Sequence, residues 1–172
     1  VMKEMPEVDA VAGIGADADI VSVVRKAVGG EKEQLFPEKA KLPLCGDRVL
    51  LTPGWSAYIK IAEGCDNRCS YCAIPMIRGR YRSRTMENIV EEAERLAANG
   101  AKELILIAQD TTRYGIDLYG TYMLPELLHR LCKIRGIEWI RVLYGYPESV
   151  TDELLQTIAG EEKVVNYIDL PL

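Results

Sequence analysis

From residue 57 onward, short apolar runs alternate with helical patterns, and no other feature restricts the fold as strongly. Ala57-Tyr-Ile-Lys-Ile61 reads as a strand. Residues 86–98 read as a helix, with Ile89, Val90, Ala93, Leu96 and Ala97 on one face and Glu91 paired to Arg95 on the other. Glu103-Leu-Ile-Leu-Ile-Ala108 is a continuous apolar strand of the kind buried in a parallel sheet. Residues 124–134 give a second helix with Leu124, Leu127, Leu128 and Leu131 inward and Pro125 in its first turn. Trp139-Ile-Arg-Val-Leu143 is a third strand. Residues 150–159 give a third helix, with Val150, Leu154, Leu155 and Ile158 inward, and Val164–Leu170 a fourth strand. The order β-α-β-α-β-α-β predicts an α/β fold with a parallel sheet and right-handed crossovers. An open sheet and a partial (β/α) barrel both satisfy it. Either one puts a functional site where strands end and loops begin.

The part before residue 57 is organised differently. Residues 8–12 alternate as a short strand. Residues 17–28 read as a helix with Ile20, Val21, Val24, Ala27 and Val28 at helical spacing, stopped by Gly29-Gly30. Residues 29–56 have no periodicity and carry Pro37, Pro43 and Pro53, so they read as a linker. The expected organisation is residues 1–30 as the tail of one α/β domain, 31–56 as linker and 57–172 as a second domain. The chain opens on Val1 and stops in the apolar run Leu170-Pro-Leu172, so both ends read as cut.

The loop after the first strand of the repeat holds the chemistry. It reads Gly64-Cys65-Asp66-Asn67-Arg68-Cys69-Ser70-Tyr71-Cys72, a C-x-x-x-C-x-x-C spacing. Three thiolates this close converge on one soft metal centre. Zinc in a closed tetrahedral site would call for a fourth thiolate or imidazole. Only Cys45, Cys132 and the single histidine, His129, remain to supply it, and each would have to fold back. An iron–sulfur cluster with three protein ligands leaves one iron open, which accounts for three cysteines without a fourth. Gly64 permits a tight turn toward such a cluster. Tyr71 is placed to face a ligand bound there.

Composition narrows the remaining classes. With 48% apolar and 27% charged residues, the chain has the makeup of a folded domain. No apolar run approaches the ~20 residues of a membrane helix, and no signal-peptide pattern is present, so no membrane partner is expected. One histidine argues against His-rich metal sites and Ser/His or Cys/His catalysis. Five cysteines, an odd number, argue against a disulfide scaffold.

Cys65-x-x-x-Cys69-x-Tyr71-Cys72 after the first strand of a βα repeat resembles the radical S-adenosylmethionine superfamily. Within it, the flanks Ile61-Ala-Glu-Gly-Cys65, Cys72-Ala-Ile-Pro75, Ile77-Arg-Gly-Arg80 and Arg82-Ser-Arg84 resemble the methylthiotransferases. The resemblance covers residues 57–172 almost without a break, and residues 1–30 resemble the end of that family's N-terminal domain. One branch of the family modifies an adenosine in tRNA. The other modifies the β carbon of an aspartate in a small-subunit ribosomal protein, the twelfth in the standard series. Ile107-Ala-Gln-Asp-Thr-Thr-Arg-Tyr-Gly115 and Leu143-Tyr-Gly-Tyr-Pro147 resemble the ribosomal-protein branch.

The resemblance implies a partial (β/α) barrel of the radical SAM type, truncated, and a cytoplasmic enzyme. It implies that Cys65, Cys69 and Cys72 hold a 4Fe–4S cluster whose open iron chelates S-adenosylmethionine. Reductive cleavage of the sulfonium, with electrons from a donor, then gives a radical able to take hydrogen from an unactivated carbon. A second 4Fe–4S cluster, supplying sulfur, would sit on N-terminal cysteines outside this sequence, so the chain as given is expected to bind one cluster without completing sulfur insertion. Gln109 and Asp110, where the superfamily has a Gly-Gly-Glu-like stretch, are candidate cofactor-binding residues. The competing reading of Asp110-Thr-Thr112 is a turn cap.

Residues 73–85 contain no acid and carry +4, leaving −9 to the rest of a chain of net charge −5. If that stretch is extended, Arg78, Arg80, Arg82 and Arg84 point one way and form a basic strip for ribosomal RNA, the substrate protein or the cofactor carboxylate. A solvated rim is the plainer reading. Tyr114 and Tyr146 follow strand ends and either line the site or pack. Cys45 and Cys132 read as ordinary small apolar residues, and His129 as an exposed helix residue. The alternatives are the tRNA-modifying branch and, in another class, a non-enzymatic zinc-binding or scaffold module.

Overall fold

The computed structural model describes residues 1–38, 44, 46, 48–51 and 53–170. Pro43, Cys45 and the chain end at 171–172 lie outside the described residues. The central sheet has three parallel strands, β3 (Ser56–Lys60), β6 (Glu103–Ile107) and β7 (Trp139–Val142), in the order β3-β6-β7. Helix α3 (Met86–Ala98) connects the first two and α5 (Leu124–Cys132) the second two; α6 (Asp152–Gly160) follows β7.

The register places Leu104 beside Ala57 and Ile140, and Leu106 beside Ile59 and Val142. This is why β6 reads as an unbroken apolar run: as the middle strand, it has Leu104 and Leu106 fully buried and Ile105 nearly so. Leu124, Leu127, Leu128 and Leu131 of α5 are all fully buried, and Ile89, Ala93 and Leu96 of α3 join the same core. Pro125 sits in the first turn of α5, where its missing N–H has no helical partner to lose.

Four readings of the sequence change. The fourth strand, expected over 164–170, is reduced to a single parallel bridge between Val164 and Ile140. Leu155 of α6 faces solvent, while Leu154 and Ile158 are buried. Residues 33–35, in the stretch read as linker, form strand β2 (Glu33–Leu35), parallel to β1 (Ala10–Ala12). The helix expected over 17–28 divides into a 3-10 turn (Ala16–Asp19) and α1 (Ile20–Val28), and its apolar set is turned outward. Val24 is 51% and Val28 84% exposed, whereas Val23 is buried. Among the described residues, no helix is long and apolar enough to cross a membrane.

Four short elements around the first crossover and after β6 have no periodic signature. Strands β4 (Ala62–Glu63) and β5 (Arg82–Ser83) pair antiparallel, and α2 (Ile74–Arg78) lies between them. Helix α4 (Ile116–Tyr119) follows β6 and holds β5: Asp117 accepts from the Ser83 backbone N–H at 2.9 Å and from its hydroxyl at 2.6 Å.

Candidate functional site

The β4·β5 ladder turns residues 64–81 into a closed excursion from the C-terminal end of β3. All three cysteines of the spaced motif lie on it. The excursion is closed at several levels. The Cys65 N–H donates to the Gly79 carbonyl at 3.2 Å. Gly64 has φ 79°, and a Cβ there would sit 2.2 Å from the Arg80 carbonyl oxygen, so only glycine fits. Asp66 receives the Arg80 Nε–H at 2.8 Å and the Tyr81 N–H at 3.2 Å. Glu63 accepts from Lys60 at 2.8 Å and Arg78 at 3.2 Å. Burial pushes the Glu63 carboxyl upward, but the Lys60 hydrogen bond and the charges of Lys60 and Arg78 outweigh it and hold the group below its ordinary value.

Two further loops meet this one at the same end of the sheet. After β6, Asp110 is 1% exposed. Its Oδ2 accepts from Asn67 Nδ2 at 2.9 Å, and its Oδ1 from the Thr112 hydroxyl at 2.7 Å and the Arg113 N–H at 3.2 Å. Its backbone carbonyl accepts from the Tyr81 hydroxyl at 2.8 Å. After β7, Tyr144 adopts φ 60°, a left-handed conformation that a bulky residue takes only when its surroundings impose it. They do so here: its N–H donates to Asp169 Oδ2 at 2.9 Å, and its carbonyl accepts from the Thr111 N–H at 2.9 Å. The next loop residue but one, Tyr146, has its hydroxyl against Glu148 and Cys69. The hydrogen bond and charge of Glu148, with a smaller contribution from Cys69, push its pKa up to about 12.

The predicted site residues thus collect at one end of the sheet, in different states. Cys65 is buried, and Cys69 and Cys72 are half-buried. Burial pushes the Cys65 thiol up; the Asn67 N–H opposes this, and Asp110, Cys72 and Cys69 add to it. Among the described residues, no three Cys, His, Asp or Glu side chains stand as a finished metal-ligand set. Beside Cys65 is a cavity of about 170 Å³, lined also by Asp66, Arg68, Pro75, Gly79 and Arg80. Tyr71 is 89% exposed. Gln109 is half-buried, and its Oε1 is a buried acceptor without a partner. Asp110 forms the turn cap that was its competing reading.

The basic strip does not form as a strip, because the segment is not extended throughout. Arg78 ends α2 and pairs with Glu63, while Arg80 pairs with Asp66 at the surface. Arg82 lies in β5. Arg84 is 4% exposed, bound to Glu92 at 2.6 Å, to Asn88 and to the Lys60 carbonyl. Tyr114 is fully buried and donates to the Arg84 carbonyl at 3.0 Å, a packing role. Cys132 and His129 both meet Glu161 and not the cysteine loop; burial, then Glu161, lifts the Cys132 thiol to about 12. Neither supplies a fourth ligand to the loop.

Sequence reasoning missed Asn67 and Tyr81, and read Thr112 only as part of the turn cap. Asn67 alone had a signal, its place between two motif cysteines.

A three-sulfur donor set on a strand-end loop is what the radical S-adenosylmethionine proteins bring to an iron–sulfur cluster, and residues 59–172 match the Radical SAM superfamily. The chain belongs to the radical SAM superfamily. The 4Fe–4S cluster and S-adenosylmethionine expected from the motif are the cofactors of that superfamily. Proteins named ribosomal protein uS12 methylthiotransferase RimO resemble this radical SAM chain along its length. Those of Caldanaerobacter subterraneus and Thermoanaerobacter sp. are 55% and 54% identical over 99% of it, and that of Lachnoclostridium phytofermentans is 51% identical over all of it. The chain spans 39% of the length of each of these relatives. Among solved structures, the radical S-adenosylmethionine methyltransferase TsrM of Kitasatospora setae superposes with a TM-score of 0.52 at 21% identity, over 66% of this chain and 21% of that one. That likeness establishes the shared fold: an α/β architecture belonging to a radical SAM (β/α) barrel.

Proposed function

We propose that this chain is the cluster-binding part of a radical SAM methylthiotransferase that acts on the β carbon of an aspartate in ribosomal protein uS12. The observation that carries the reading is the C-x-x-x-C-x-x-C loop at the strand ends of a radical SAM sheet, in a chain about half identical to proteins bearing that name. Cys65, Cys69 and Cys72 are the residues that would hold the 4Fe–4S cluster; soft thiolate suits iron–sulfur chemistry, and neither Cys132 nor His129 completes a zinc tetrahedron.

When bound, the cluster and S-adenosylmethionine supply one-electron chemistry that acid–base side chains cannot. The protein's own residues hold and shield. Gly64 and the Asp66–Arg80 pair fix the loop, and the buried Tyr114 hydroxyl holds the Arg84 carbonyl just past β5. Gln109 offers its unpartnered carbonyl oxygen to a donor such as the methionyl ammonium group. Tyr71, exposed on the loop, is free to close over a bound ligand. An electron donor, a second cluster on cysteines outside this sequence and a cytoplasmic site of action complete the proposal.

The test begins with anaerobic reconstitution of the chain with iron and sulfide. One cluster per chain is expected, with loss of bound iron in each of Cys65→Ser, Cys69→Ser and Cys72→Ser. Zinc without iron would overturn the reading in favour of a zinc module. The longer protein is then offered uS12 and tRNA separately. Methylthiolated aspartate in uS12, detected by peptide mass spectrometry, is the expected product; modified tRNA adenosine in its place would move the chain to the other branch.

A further inference from the structure

Asp110 is bonded to both arms of the cysteine excursion. Asn67, between Cys65 and Cys69, reaches its Oδ2 at 2.9 Å; Tyr81, where the excursion closes, reaches its backbone carbonyl at 2.8 Å. Its Oδ1 binds Thr112 at 2.7 Å, and the Thr112 hydroxyl oxygen in turn accepts the Tyr146 N–H at 3.0 Å, so the same knot includes the loop after β7. A carboxylate offers about four acceptor positions. Three are used here, and the residue is 1% exposed, so a ligand has almost no access to it.

We propose that Asp110 is a positioning residue, acting through Asn67 and Tyr81 to fix the spacing of Cys65 and Cys69, and that it does not contact S-adenosylmethionine. The inference rests on the cluster reading above. It divides two adjacent residues into different roles, Gln109 facing a ligand and Asp110 facing the loop. Outer-shell hydrogen bonds that orient ligands commonly change metal affinity by about 10–100-fold.

The Asn67–Asp110 bond permits an exchange of partners. Asn67→Asp alone sets two carboxylates face to face. Asn67→Asp combined with Asp110→Asn restores one amide-to-carboxylate bond in the opposite sense, and the new carbonyl oxygen at 110 still accepts from Thr112 and Arg113. The experiment compares reconstituted chains by the rate of iron loss to a chelator, the electron paramagnetic resonance of the reduced cluster and the affinity for S-adenosylmethionine. The expected result is loss of iron about 10–100-fold faster in Asn67→Asp, with the double variant returned to within about threefold of the wild type and its spectrum restored. A double variant no better than Asn67→Asp, or an Asn67→Asp chain that keeps iron as the wild type does, overturns the proposal. So does Asp110→Asn alone weakening S-adenosylmethionine binding at an unchanged rate of iron loss, which would assign Asp110 to the ligand. A wild-type chain that assembles no iron–sulfur cluster overturns the cluster reading as well, and is told apart by failing before any substitution is made.

Discussion

Gly64 is where a single residue type decides whether the cysteine loop can close. Its φ of 79° lies in the left-handed region, and a Cβ would press on the Arg80 backbone, which has no side-chain freedom to yield. Gly64→Ala is therefore expected to destabilise the chain by at least about 2 kcal/mol and to lower iron retention on reconstitution; denaturant unfolding and iron analysis check the two effects. Neighbouring residues show how far such detail was legible. The C-x-x-x-C-x-x-C pattern was readable because spacing along the chain is a local, covalent property. The role of Asp110 was open between ligand and turn cap, because both use the same carboxylate; the choice depends on Asn67, Tyr81 and Thr112, and two of these are far away in sequence.

At the scale of elements, periodicity located helices well and judged their surroundings unevenly. In α5 the four predicted leucines are all buried, so the apolar stripe and the packed stripe coincide. Leu128→Ala should cost about 2–5 kcal/mol, since the side chain is fully buried on a helix packed against α3, α6 and β7; the shift in the urea midpoint measures it. In α1 an equally clear stripe leaves Val24 and Val28 in solvent and buries Val23. A repeat of 3.6 residues says that a helix has an apolar face; what covers that face is a property of the tertiary structure. The short pieces β2, β4, β5, α2 and α4 escaped for another reason. Elements of two to five residues contain too few positions for a period to show, and long-range pairing creates them.

In the whole molecule, three parallel strands bring the loops after β3, β6 and β7 to one end, where Asn67, Asp110, Thr112 and Tyr146 form a continuous hydrogen-bonded chain. A cluster held there stabilises the folded state by mass action. At about 100-fold over its dissociation constant this amounts to roughly 2.7 kcal/mol, or a melting temperature higher by about 5–10 °C for a chain of this size. Scanning calorimetry of the reconstituted chain before and after iron chelation should show that fall, and Cys65→Ser should show none.

The sequence by itself determined the α/β alternation, the buried middle strand and the close spacing of three cysteines on one strand-end loop, because burial on both faces of a strand and residue spacing are written in consecutive residues. The tertiary structure decided that the arginines at 78–84 face different ways, that the fourth strand is a single bridge and that Asp110 ties three loops together. Each of those outcomes depends on a partner distant in sequence, such as Glu92 for Arg84, Ile140 for Val164 and Asn67 for Asp110. A local pattern contains no information about which distant group will satisfy a charge or a hydrogen bond.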